Sequence, residues 1–201
     1  MKKILVALTI ATGLLLTGCS QSNEAATVGD FKITQTELQS SIDAVMAERS
    51  KVDTSQMQLE TGDELNRGQL RFKILMHTFD EIAKELEIEI TNSEIASRRS
   101  EIIEQVGGAE SLPDALVSAS ITPADLDGYL RAILISNKLG QALVQSGVAE
   151  ADVQTRVQQL LVAKVNELKI KVNPRYGKWD AVTGQIIAAE VAGDAVTPSN
   201  E

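Results

Sequence analysis

Between residues 35 and 165 the apolar positions of the chain recur at intervals of three and four, and on either side of that stretch they alternate with polar ones. The first pattern lays a stripe along a helix; the second gives a strand one apolar face. At the amino-terminal side, ATVGDFKIT (26–34) predicts a hairpin or a strand with a turn, because Gly29-Asp30 suits a two-residue loop. Thr34-x-x-Glu37 has the form of a capping box, in which the Thr oxygen accepts from a free helical N–H and the Glu reaches back. A helix over 35–50 follows, with Leu38, Ile42, Val45 and Met46 expected on one face. Residues 50–66 read as a polar connection.

The longest helix is predicted over 64–88. Phe72, Leu75, Met76, Phe79, Ile82, Ala83 and Leu86 fall at the spacing of a single buried stripe. At ~1.5 Å per residue such a helix approaches 40 Å, more than a small bundle core covers completely. Thr91-x-x-Glu94 caps a further helix that stops at Gly107-Gly108. A short helix over 110–118 carries Leu112, Leu116 and Val117. Thr122-Pro123-Ala124-Asp125 is expected to start another, with Pro at the first helical position and Leu126, Leu130, Ile133 and Leu134 among its apolar positions. Val153, Val157, Leu160, Leu161 and Val165 define the last helix.

The period then changes. Leu168, Ile170 and Val172 alternate with polar residues and predict a strand that pairs with the one around Phe31–Ile33, until Pro174 stops it. From Ala181 onward the residues are small, polar or acidic apart from short Ile/Val pairs, and a mobile tail over 181–201 is expected. The fold class expected is mainly α, a helical bundle with a small β element made by its amino- and carboxy-terminal strands. An apolar fraction of 43% with only 3% aromatics fits helices packed through Leu, Ile, Val and Ala.

Ahead of that domain the chain opens with Lys2 and Lys3 and the mostly apolar run Ile4–Leu16. The run is shorter than the roughly 20 residues a bilayer span takes, and it fits a secretory signal. Leu16-Thr17-Gly18-Cys19 resembles the lipobox of bacterial lipoproteins, in which the Cys thiol is acylated and the chain is cut before it. Cys19 is the only cysteine, so no intramolecular disulfide can form, and with a single His a Cys/His metal site is excluded. The resemblance implies a signal peptide over 1–18, a lipidated tether over 19–25 and anchorage at the extracytoplasmic face of a membrane. A diacylglyceryl group supplies the two acyl chains that stable attachment takes. Without residues 1–18 the chain keeps 17 basic and 28 acidic residues, net −11, which opposes binding to nucleic acid and to anionic surfaces.

Over residues 26–180 the order of motifs resembles the SurA N-terminal domain and related foldases. The segments concerned are VGDFKIT, the TELQ helix, the long helix, and ITNSEIASRRSEIIEQVGGAESLPDALVSASITPADLDGYLRAILISNKL. VNPRYGKWD resembles the closing segment of lipoproteins built from this domain alone. One departure is Ser120, where the family often has Gly before the I-T helix start, so a non-Gly residue must tolerate a turn there. A second departure concerns catalysis. Related foldases carry a parvulin-type prolyl isomerase module, whereas Lys138–Ala163 here runs directly from helix to helix and leaves no room for one.

No catalytic constellation is found, and neither a cofactor nor a small-molecule substrate is expected. His77 reads as an edge or surface residue, Glu85, Glu87 and Glu89 as a solvated face, and Gly107-Gly108 as a helix stop. Tyr176 and Trp179 beside Arg175 fit a partner contact and packing of the closing strand equally well. Met46, Met57, Phe72 and Met76 are candidates for an adaptable polypeptide-binding groove, with core packing the favoured reading of the same residues. The resemblance implies a chaperone-like function, the holding of unfolded or extended polypeptides without turnover. The alternative is an interaction module that docks one specific envelope partner.

Overall fold

The computed structural model describes residues 23–188, so Cys19 and the whole of segment 1–18 lie outside the described residues. The chain begins with strands β1 (Glu24–Val28) and β2 (Phe31–Thr34). Helices α1 (Gln35–Arg49), α2 (Gly62–Glu85), α3 (Asn92–Gln105), α4 (Leu112–Ser118), α5 (Leu126–Gln145) and α6 (Glu150–Glu167) follow. Three short strands close it: β3 (Lys171–Val172), β4 (Lys178–Asp180) and β5 (Gln185–Ile187). A mainly α fold with small antiparallel sheets is what the periodicities require.

Local signals explain most boundaries. Gly29, at φ +59, turns β1 into β2 through a two-residue loop, and Val28 pairs with Phe31 across it. Thr34 and Thr91 both form complete capping boxes, with Glu37 and Glu94 returning to the cap N–H at 2.7 and 2.8 Å. Lys138 and the Thr91 groups together hold the Glu94 carboxyl well down, at about 2. Gly107 and Gly108 both take positive φ at the end of α3. Ser120 follows α4 at φ +54, and the Ile121 N–H returns to the Leu116 carbonyl at 3.0 Å, so the turn expected of a non-Gly residue is made.

Five expectations are corrected. β1 begins at Glu24 and Ala25 is fully buried, so the tether cannot extend to residue 25. The closing strand pairs with β1 rather than with Phe31–Ile33: Val172 faces Ala26, Lys171 faces Thr27, and the sheet order is β2-β1-β3. The reason is burial, since Ala25, Ala26 and Val28 make β1 the strand that lies over the core. Helix α5 starts at Leu126, not at Pro123; residues 122–125 form a turn in which Thr122 Oγ1 accepts from the Asp125 N–H at 3.2 Å. Leu86, expected on the buried stripe, caps α2 and is 50% exposed, because the chain reverses at Glu87 with φ +54.

The fifth correction concerns the tail. Residues 178–187 form the β4–β5 hairpin, and Ile186 is buried in the same cluster as Ile33, Leu38, Leu70 and Ile74. Arg71 Nε donates to the Gly184 carbonyl at 2.6 Å, which fastens the hairpin to α2. Simple composition hid this, since only one apolar side chain of the hairpin's second strand faces inward. The part of the expected tail beyond residue 188 lies outside the described residues.

The core is divided. One cluster joins the sheet to α1 and the first half of α2; a second joins the end of α2 to α5 and α6 through Ile82, Ile135, Leu139 and Val157. A third joins α4 to the start of α5 through Leu116, Ile121, Leu126 and Leu130. Ion pairs cross between helices at their rims, Lys164 to Glu85 at 2.6 Å and Arg131 to Asp80 at 3.0 Å. No helix of the described residues is long and apolar enough to cross a membrane.

Candidate functional site

Helix α2 touches all three parts of the core and cannot bury its whole circumference against any of them. Leu65, Gln69, Leu70, Ile74, Thr78, Ile82 and Ala83 are its buried residues. The predicted stripe divides accordingly: Ile82 and Ala83 are buried, whereas Phe72, Leu75, Met76 and Phe79 stay partly exposed. The sheet lies against the Leu70/Ile74 side of the helix, and the neighbouring side faces the seam between clusters.

That seam is a groove of about 570 Å³. Its apolar floor is Phe72, Leu75, Met76 and Phe79 from α2 with Tyr129, Ala132 and Ile133 from α5. Its rim is uncharged for the most part: Gln58, Ser118, Ser120, Ser136 and Asn137 offer amides and hydroxyls, with Glu60 and Arg71 the charged members. Apolar lining with a few polar groups around it is the usual make-up of a binding cleft. A second cleft, of about 430 Å³, opens on the other side of Phe72 and Met76 and reaches Phe31, Ile33, His77 and Gly128. Phe72 and Met76 are thus shared by both, and neither Leu75 nor Met76 belongs to a core cluster.

A buried polar chain holds the groove's wall. Ser41 Oγ donates to Gln69 Oε1 at 2.9 Å, and Gln69 Nε2 donates to the Ser120 carbonyl at 2.8 Å. Arg49, only 8% exposed, donates from Nη2 to Ser120 Oγ at 2.9 Å and from Nη1 to the Glu60 carbonyl at 2.7 Å. The chain ties α1, α2, the segment before α2 and the α4–α5 turn into one frame. Four hydrogen bonds hold this frame, while the buried Arg49 Nε has no partner among the described residues. Ser120 has a role that Gly could not fill, since its hydroxyl receives the Arg49 guanidinium.

Of the candidate residues, Phe72 and Met76 are brought together on the groove floor. Met57 lies at its edge, with its sulfur 3.5 Å from Oγ of the lining residue Ser118. Met46 does not join them. It projects from α1, 50% exposed, with its sulfur 3.9 Å from Arg49 Nη1. Leu75 and Phe79 were visible in the stripe of the sequence, but Tyr129, Ile133 and the Arg49–Ser120–Gln69 chain have no local signature. His77 packs its ring on Phe31, centroids 4.0 Å apart, in keeping with an edge residue. Glu85, Glu87 and Glu89 are all exposed, as a solvated face requires. Trp179 and Tyr176 pack against the first core cluster. Among the described residues no group of three His, Cys, Asp or Glu side chains is placed to hold a metal ion. Comparison of the chain with protein-family models, with curated proteins and with solved structures finds no match.

Proposed function

We propose that the protein is a membrane-anchored, extracytoplasmic holding chaperone that binds unfolded or extended polypeptides in the groove along α2, without catalysis. The observation that carries this reading is the partly exposed row Phe72, Leu75, Met76 and Phe79, set in a groove with a mostly uncharged rim. An extended client chain brings apolar side chains for the floor and backbone N–H and C=O groups for the amide and hydroxyl rim. Methionine adapts to different client side chains at little cost, which suits tolerance of sequence. The order of motifs that resembles the SurA N-terminal domain supports the same reading, and the lipobox-like Leu16–Cys19 supports the anchor.

The test is suppression of aggregation. The purified domain, without lipid, is expected to delay aggregation of several unrelated unfolded proteins, binding them at a Kd on the order of micromolar, about 8 kcal/mol. Protection of none of them, together with tight binding to one folded envelope protein, would select the docking module instead. Measurable turnover of a prolyl peptide would contradict both. In cells, Cys19→Ala is expected to abolish lipid labelling; retention of the variant in membranes with an unchanged amino terminus would remove the anchor from the account.

A further inference from the structure

The second cleft lies against an edge strand. Among the described residues β2 pairs only with β1, so one of its two edges has no described strand beside it. The register says which groups that edge offers. Val28 and Phe31 close the two-residue loop and exchange hydrogen bonds, as do Ala26 and Ile33, so the intervening pair Thr27 and Lys32 point their backbone groups away from each other. Thr27 turns toward β3, where Lys171 faces it. Lys32 therefore turns its N–H and C=O to the open side, where no described residue meets them. The Thr34 N–H is already taken by Glu37 at 2.7 Å.

We propose that a client segment joins the sheet as an additional strand on β2, hydrogen-bonded to Lys32, and sets alternate side chains into the cleft beside it. The proposal rests on the polypeptide-binding reading and adds how the chain is held. Side chains facing one another across a ladder share a face of the sheet. The client residue opposite Lys32 therefore faces outward, and the residues before and after it, opposite Phe31 and Ile33, face inward. There the cleft is lined by Phe31, Ile33, Phe72 and Met76, which calls for apolar side chains at every second position. Strand addition of this kind draws affinity from main-chain bonds and selects only by alternation, so it tolerates many sequences. Charge narrows the occupant further. Of the acids lining the cleft, Asp80 is paired with Arg131 at 3.0 Å, which leaves Glu37 and Asp125 against one lysine, Lys73, and favours a segment with basic rather than acidic flanks. Through Phe72 and Met76 the same segment can continue from this cleft into the larger groove.

A decapeptide with valine at every second position, threonine between and lysine at both ends tests this. Saturating peptide is expected to slow hydrogen exchange at the Lys32 amide about tenfold, as a new hydrogen bond should. Lys32→Pro deletes the outward N–H at a position where an edge strand accepts proline, and should weaken binding about tenfold. Glu24→Gln removes the charge partner of Lys32, 2.5 Å away, without touching the edge, and should bind as the parent does. An isomer with its valines in one block should bind more weakly. Unchanged exchange at Lys32 under saturation, or equal binding by Lys32→Pro, overturns the added strand and leaves the groove reading standing. Binding of unfolded proteins without binding of the peptide overturns the added strand in the same way. Binding of neither overturns both.

Discussion

Gly177→Ala is expected to release the β4–β5 hairpin from the core and to lower the melting temperature by about 10 °C. Gly177 sits at φ +122, a conformation that L side chains rarely adopt, and a Cβ there would stand 2.1 Å from the Ile187 carbonyl oxygen. Ile186 Cγ2, at 3.2 Å, closes a further direction of escape. The clash is with backbone, and that backbone is laddered to β4 through Lys178 and Ile187. The hairpin must therefore shift as a unit and withdraw Ile186, which is 7% exposed, from its cluster. Loss of one buried Ile with strain at one residue amounts to roughly 3–4 kcal/mol. For a domain of this size each kcal/mol moves the midpoint roughly 2–4 °C. Trp179, the only tryptophan of the chain, lies in β4 and packs on the same cluster. Its emission should shift to the red in the variant; an unshifted emission with an unchanged midpoint would show that the hairpin adds nothing to the fold.

The second large effect is on binding. Met76→Lys is expected to reduce affinity for unfolded clients at least about tenfold, because the substitution places a hydrated charge where both clefts share their floor. Stability should change little, since Met76 is partly exposed and belongs to none of the three core clusters. Phe72→Ala would be a poorer probe, because Phe72 also packs against the cluster of Leu116 and Leu130. Met46→Lys, on the exposed side of α1, should leave affinity unaltered. Competition titrations with a fluorescent unfolded protein distinguish these outcomes. Equal affinity in the Met76 and Met46 variants would remove the groove from the account.

Local chemistry was readable and long-range geometry was not. Thr34 and Thr91 with their glutamates, Gly29 in its loop and Gly107-Gly108 after α3 each act within a few residues, so the order of neighbours is enough to place them. The stripe on α2 was legible as periodicity, but which part of it is covered depends on where the sheet comes to lie. Leu70 and Ile74 win that place while Phe72 and Met76 do not, although all four are apolar and only a few residues apart. The choice of β1 over β2 as partner of the closing strand is of the same kind. Alternation says that a strand exists and not beside which edge it settles. β5 escaped notice because its hold on the core is one side chain, Ile186, and one bond from Arg71, 113 residues earlier. The Arg49–Ser120–Gln69 chain joins residues between 51 and 71 positions apart and leaves no pattern in any window.

Methionine methyl groups offer the most direct measurement of where a client binds. The chain has four methionines, and among the described residues they are Met46, Met57 and Met76, one away from the groove, one at its edge and one on its floor. With ¹³C-labelled methyl groups, titration of a permanently unfolded protein should move the Met76 resonance in a saturable manner. Met57 should move less and Met46 should stay in place. Movement of Met46 with Met76 unmoved, or no movement at all while clients remain protected from aggregation, would contradict binding along α2.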